Sequence, residues 1–304
     1  MTMSRLPSEL VSIVISYLVN FSSTQAVKEL QQCTQNGEWA DGLKFLLVHG
    51  TDDIHSYFFA QCCEKGDLWT CKWLDQRTTF CRSTITWGLQ KACEGGHLRI
   101  CHWLMNTFHL TEEDATSGEN VALRWACYYG HLPIARWLTE TFALTEEDAS
   151  SLSNDALKHA CFFGHLKVAE WLTETFRLNT GDDARNIGTS CLQYSCKGGH
   201  LQVSKWLVRT FDLTQEDVRS QDNSAFRWAC FQGQLELAQW LTDRFHLTAK
   251  DATSQDNDAY RMARAGKHMH VVGWLEKRFD IGDVYAMLQR QSQTHRPESN
   301  STNL

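Results

Sequence analysis

The sequence predicts an all-α, helical repeat solenoid, and three observations carry that expectation. A glycine recurs at Gly96, Gly130, Gly164, Gly199, Gly233 and Gly266, mostly followed by His-Leu, and a Trp-Leu pair follows each one, at Trp103, Trp137, Trp171, Trp206, Trp240 and Trp274. By the tryptophans the spacing is 34, 34, 35, 34 and 34 residues, a period that signals stacked units rather than one closed domain. Within each unit the apolar residues recur at helical intervals, and between units there is neither a hairpin glycine nor an alternating β-branched run.

Composition narrows the function. The 304 residues are 42% apolar, enough for a stack that needs only neighbour contacts. Against 36 acidic residues stand 29 basic ones, a net charge of −7, which removes the electrostatic footing that nucleic-acid binding needs. No run is long and apolar enough to span a membrane, and the stretch 10–19 is short, follows Glu9 and lacks an Ala-x-Ala cleavage pattern. Of the twelve cysteines, Cys63, Cys93, Cys127, Cys161, Cys196 and Cys230 each stand three residues before a repeat glycine. Equivalent positions in neighbouring repeats lie about 10 Å apart, farther than a disulfide reaches. They read as small buried thiols in a reduced, cytoplasmic, monomeric protein.

One unit, residues 120–154, shows how each element is specified. Ala122, Leu123, Ala126 and Cys127 mark one face of a first helix. Asn120, repeated as Asn154, Asn223 and Asn257, stands where its side chain can cap that helix, an effect of about 1 kcal/mol. Gly130 ends the helix because glycine takes the left-handed conformation freely. A second helix follows through Ile134, Ala135, Trp137 and Leu138, with Pro133 tolerated in its first turn. Burial of Leu132, Ile134, Trp137 and Leu138 at roughly 2 kcal/mol each makes the tryptophan column an expected main stabiliser. Thr145-Glu146-Glu147-Asp148, repeated at 111–114 and 214–217, has the form of a capping box with Asp in place of the usual Glu, and predicts a short third helix. Glu112, Glu113, Glu146 and Glu147 are expected to be solvated.

Along the chain, 1–19 forms an N-terminal helical segment and 20–87 divergent helical repeats with Gly-acid turns at Gly37-Glu38 and Gly66-Asp67. The clear repeats fill 88–281. Val284 to Gln289 provide a closing helix within 282–291, and the polar 292–304 reads as a disordered tail.

Ala126-Cys127-Tyr128-Tyr129-Gly130-His131-Leu132, then Ile134-Ala135 and Trp137-Leu138, resembles the ankyrin repeat, with its Ala-Ala-x-x-Gly-His-Leu-x-Val-Val-x-x-Leu-Leu signature. The resemblance covers about residues 88 to 280 and reaches back in degenerate form through Cys63 to Leu68 and Trp73-Leu74. It implies an ankyrin-like stack that binds a protein partner through a concave groove. The departures are regular: Val121-Ala122-Leu123-Arg124 stands in place of Thr-Pro-Leu-His, and Thr-Phe-x-Leu-Thr in place of the Gly-Ala-Asp hairpin, so degenerate or absent β-fingers are expected. At the N-terminus, Leu6-Pro7-Ser8-Glu9-Leu10, with Val14, Tyr17 and Leu18, resembles the opening of an F-box. That resemblance implies an adaptor docking on a ubiquitin ligase scaffold subunit, while a plain capping helix would show the same spacing; both readings stand.

No catalytic, cofactor or metal site is expected. Four Cys-x-x-x-His pairs, such as Cys127 and His131, have ligand-like spacing, but a glycine breaks the helix between the partners and adjacent pairs lie a repeat apart, so four ligands do not converge. No cysteine has a histidine and orienting acid of its own, and Gly-rich phosphate loops are absent. Binding is the better reading. The two positions between repeat cysteine and glycine vary, giving Glu94-Gly95, Tyr128-Tyr129, Phe162-Phe163, Lys197-Gly198 and Phe231-Gln232, and the position two before the cysteine gives Lys91, Trp125, His159, Tyr194 and Trp228. In ankyrin-like stacks these positions face the groove. Trp125, Tyr128, Tyr129, Phe162, Phe163, Tyr194, Lys197, Trp228, Phe231 and Gln232 are therefore the expected partner-binding residues, the alternative being that one ring of each pair covers the neighbouring repeat.

Overall fold

The computed structural model describes residues 52–281. The N-terminal segment with Leu6, Pro7, Leu10, Val14, Tyr17 and Leu18, the closing helix in 282–291 and the tail 292–304 lie outside the described residues. All regular structure among the described residues is helical, with no strand. The helices run α1 Asp52–Lys65, α2 Leu68–Asp75, α3 Arg82–Gly95, α4 Leu98–Phe108, α5 Glu112–Tyr128, α6 Leu132–Phe142, α7 Glu146–Ala149, α8 Ser151–Phe162, α9 Leu166–Thr175, α10 Ala184–Gly198, α11 Leu201–Thr210, α12 Gln215–Phe231, α13 Leu235–Phe245, α14 Ala249–Ala252, α15 Ser254–Ala265 and α16 Met269–Phe279. They fall into two compact units, divided between Ala156 and Leu157.

Each unit is built by the same rule. In the first, α1, α3 and α5 pack in succession, and each packs on its own second helix, α2, α4 or α6; in the second, α10, α12 and α15 do the same with α11, α13 and α16. The faces that meet carry small residues. Ala122, Ala126 and Cys127 in the first unit, and Ala225, Ala229 and Cys230 in the second, are buried around Leu123 and Phe226. Small side chains let neighbouring first helices approach closely, and the larger ones fill the space between them.

The glycines serve two purposes. Gly96, Gly164 and Gly199 have φ of 80°, 77° and 80° and end their helices in the left-handed conformation. Each also receives a side chain from the next repeat. A Cβ on Gly96 would lie 2.6 Å from His131 Cε1, one on Gly164 2.5 Å from His200 Nδ1, and one on Gly199 2.5 Å from Gln234 Nε2. His131 Nε2 donates to the Glu94 carbonyl at 3.1 Å. The repeat histidine is thus a clasp between neighbours. Gly266 departs from this pattern, and Lys267 takes the left-handed turn instead, at φ 61°.

No hairpin joins the repeats among the described residues. The second helix ends in Phe-x-Leu, with the middle residue left-handed: His109 and Ala143 in the first unit, and Arg177, Asp212 and His246 in the second. The leucine amide reaches back five residues, as in Leu144 N–H to Thr139 C=O at 3.2 Å and Leu247 to Thr242 at 3.1 Å. That is the Schellman closure, and it turns Leu144, Leu178, Leu213 and Leu247 into the core. The capping boxes then start the expected short helices: Thr145 N–H and Oγ1–H both donate to Asp148 Oδ2 at 2.8 Å. Thr248 and Asp251 form a further box. In the segment 178–183, Asn179 stands where the other repeats have the box threonine, and only turns and bends form.

Two expectations are corrected. Asn120, Asn154 and Asn223 do not cap helices. Each closes a run of three left-handed residues (118–120, 152–154 and 221–223), and its buried Oδ1 has no hydrogen-bond donor among the described residues. Asparagine is chosen there because its short polar side chain tolerates positive φ. The repeat tryptophans are half-buried rather than buried; Trp137 sets its ring edge-on to Phe142, 5.7 Å between centroids. The fully enclosed positions are instead Ile134, Ala135 and Leu138.

Charged groups clasp successive repeats as well. Arg82 pairs with Asp114 through both carboxylate oxygens, Nε to Oδ1 at 2.7 Å, and Arg219 pairs with Asp251 at 2.8 Å twice. Burial alone would raise Asp114 and Asp251, but the arginine and the threonine donors of the capping box hold both below the usual carboxylate range.

The clasp histidines shift for a different reason. Burial pushes His97 below the ordinary histidine value, against the opposing hydrogen bond to the Glu64 backbone. Burial likewise lowers His200, whose ring bonds to the Phe162 backbone. A histidine depressed in the fold stabilises it fully above the unfolded value of about 6.5, and that contribution is lost as pH falls through the folded value. The depressed aspartates act the same way from about 3.9 downward. The urea midpoint is therefore expected to be level between about pH 7 and 8, to decline as pH drops below about 6.5, and to decline again below about 4. A midpoint unchanged between neutral pH and about 5 would show that the histidine clasps contribute nothing.

Candidate functional site

The expected binding residues lie on the first helices of the repeats, at the end near the repeat glycine. In the first unit, Trp125, Tyr128 and Tyr129 form one aromatic cluster at the end of α5. Trp125 stacks on Tyr129 with centroids 5.8 Å apart and an interplanar angle of 25°, and Tyr128 lies 4.7 Å from Tyr129. Tyr129 is 42% exposed, and its hydroxyl donates to Glu94 Oε1 at 3.3 Å. Burial and the adjacent Glu94 carboxylate raise the Tyr129 phenol above its ordinary value. Glu94 and Glu64 together hold Lys91, at 2.6 and 2.9 Å from its Nζ.

In the second unit the cluster is longer. Lys197 Nζ lies over the Trp228 ring at 4.7 Å from the centroid and over the Phe162 ring at 5.9 Å. Phe163 sits 4.7 Å from Phe162, and Phe231 sits 5.7 Å from Trp228. His159 and Tyr194 meet edge to face at 6.3 Å. Gln232 reaches back and donates through Nε2 to the Lys197 carbonyl at 2.9 Å. Phe162, Phe163, Tyr194, Lys197, Trp228 and Phe231 are all half-buried, and Gln232 is exposed. Contacts thus join side chains from three successive repeats into a single surface.

The cysteines and histidines are otherwise engaged. Cys127, Cys161, Cys196 and Cys230 face the core. Burial pushes the Cys196 thiol up to about 12, against the opposing effect of the Ser204 and Ser195 hydroxyls, and raises Cys127 and Cys230 further. Such thiols stay protonated at neutral pH and are poor nucleophiles and ligands. Three of the pair histidines point instead to the preceding repeat, His97 to the Glu64 backbone, His131 to the Glu94 carbonyl and His200 to the Phe162 backbone. Among the described residues no three His, Cys, Asp or Glu side chains gather as a metal site would require. Cys81 is the exposed thiol among them; hydrogen bonds from the Ser83 and Thr84 hydroxyls bring it down to about 7.

A family model of ankyrin repeats, three copies long, matches residues 89–182 and again 157–254, together more than half of the 304 residues. The chain belongs to the ankyrin-repeat family. No curated protein matches it. As an ankyrin-repeat protein it carries a scaffold for protein–protein interaction, with the Gly-His-Leu clasp kept in most repeats and, among the described residues, the Phe-x-Leu closure in place of the β-hairpin. No helix among its described residues is long and apolar enough to cross a membrane.

Glu64 is a site residue that the sequence pattern does not reveal. Its signal is weak, because the repeat cysteine is followed there by Glu64-Lys65 where a ring would have drawn notice, and its link to Lys91 crosses from one repeat to the next.

Proposed function

We propose that this ankyrin-repeat protein is a non-catalytic binding module that captures a protein partner on the aromatic faces of its repeats, as a monomer in a reducing, cytoplasmic setting. The observation that supports this most is the surface formed by Phe162, Lys197, Trp228 and Phe231. Its rings are only half-buried although each lies in a repeat whose core is already filled by Leu, Ala and Cys. Large aromatic side chains left half exposed and in mutual contact are the usual anchors of a protein interface. The buried cysteines, all free thiols among the described residues, suit a reducing compartment.

Trp228→Ser and Tyr129→Ser are expected to weaken binding of a partner isolated with the full chain, each by at least about tenfold, while moving the melting temperature by no more than about 3 °C. Titration of each variant, alongside its melting curve, checks this. A large loss of stability with unchanged affinity would make the rings packing elements and overturn the assignment.

A further inference from the structure

The two units hold their lysines differently. Lys91 lies between the carboxylates of Glu94 and Glu64, so its charge is neutralised within the fold. Lys197 is held by ring faces alone, those of Trp228 and Phe162, and makes no ion pair with a carboxylate among the described residues. A ring face attracts an ammonium group but does not cancel its charge. The next repeat places Met262 at the position equivalent to Trp228, so the aromatic strip ends with Trp228 and Phe231. In a chain of net charge −7, Lys197 leaves this aromatic face with a positive charge that no carboxylate among the described residues neutralises.

We propose that the face of the second unit takes an acidic peptide segment of the partner, with a partner Asp or Glu carboxylate accepting from the Lys197 ammonium and a neighbouring apolar side chain lying on Trp228 and Phe231. The proposal rests on the protein-binding reading and names its chemistry. The two rings fix the ammonium before the partner arrives, which reduces the ordering that binding would otherwise require, and an ammonium–carboxylate hydrogen bond supplies direction. Rings beside a cation can also stack nucleobases, but tracking a phosphate backbone takes a row of cations, and the chain's acidic balance opposes it.

The test is selection of short peptides from a random phage-displayed library on the full chain, followed by titration of the enriched peptides. Peptides pairing Asp or Glu with Leu, Phe or Trp are expected, with affinity that falls as salt rises. Lys197→Met keeps an apolar stem on both rings and should weaken these peptides by roughly tenfold; Lys197→Glu should weaken them more and favour basic peptides on reselection. Enriched peptides without acidic residues, or equal affinity for the Lys197→Met variant, would overturn the proposal. If such peptides still lose binding to the Trp228→Ser variant, the binding face stands and only its acidic partner is wrong. If they are indifferent to Trp228→Ser as well, or if no peptide is enriched, the binding face fails with it. Binding of an oligothymidylate that is lost in Lys197→Met would replace the peptide by a nucleic acid.

Discussion

Gly198→Ala is expected to destabilise the protein by about 3 kcal/mol, seen as a fall of about 10 °C in melting temperature. Helix propensity argues the other way, since alanine in place of a helical glycine normally stabilises by roughly 1 kcal/mol. Gly198 closes α10, and a Cβ there would sit 1.9 Å from the Phe162 carbonyl oxygen and 2.7 Å from His200 Cδ2. A backbone oxygen cannot swing aside, so the two repeats must separate at that seam, disturbing the contacts on which neighbours in a stack depend. Gly181→Ala is the control. It has φ of 85° but open space around it, so it reports the conformational penalty alone, about 1 kcal/mol. Equal melting temperatures for the two variants would mean that the seam yields and that close backbone approach does not limit stability.

The repeat frame was legible because its markers are steric necessities. A left-handed helix end and a ring lying against the same Cα both demand glycine, so Gly96, Gly164 and Gly199 recur in register with His or Gln in the following repeat. The Phe-x-Leu closure was not legible, because its left-handed residue is His109, Ala143, Arg177, Asp212 or His246, types that carry no common turn signal. Burial of the flanking Phe and Leu fixes that turn, and burial is a property of the fold. The asparagines misled for a related reason: Asn favours both helix caps and left-handed backbone, and only the φ angles of Asn120, Asn154 and Asn223 separate the two.

At the candidate site, the rings at 128–129, 162–163, 228 and 231 were visible as variation inside a fixed register. What joins them was not. Lys197 lies 35 residues after Phe162 and 31 before Trp228, and its seat between their rings follows from stacking first helices on one another. The contrast between Lys197 and Lys91 has the same origin, since Glu64 and Lys91 meet only across a repeat boundary.

Phe226→Ala is expected to cost about 4 kcal/mol and to act locally. Phe226 is fully buried, where other repeats carry Leu123, Leu157 or Leu192. Its ring meets Phe279 at 86° with centroids 6.2 Å apart and Trp274 at 6.3 Å, so it ties α12 to α16. The last helix pair among the described residues, α15 and α16, has α12 as the first-helix neighbour on which it packs. In a stack held by nearest-neighbour contacts, weakening one interface near an end releases that end first. Hydrogen exchange in the alanine variant should therefore rise sharply over residues 254–279 while residues 184–208 keep their protection. A uniform rise across both segments would show that the second unit unfolds as one cooperative body, and that Phe226 stabilises the whole of it rather than its last repeat.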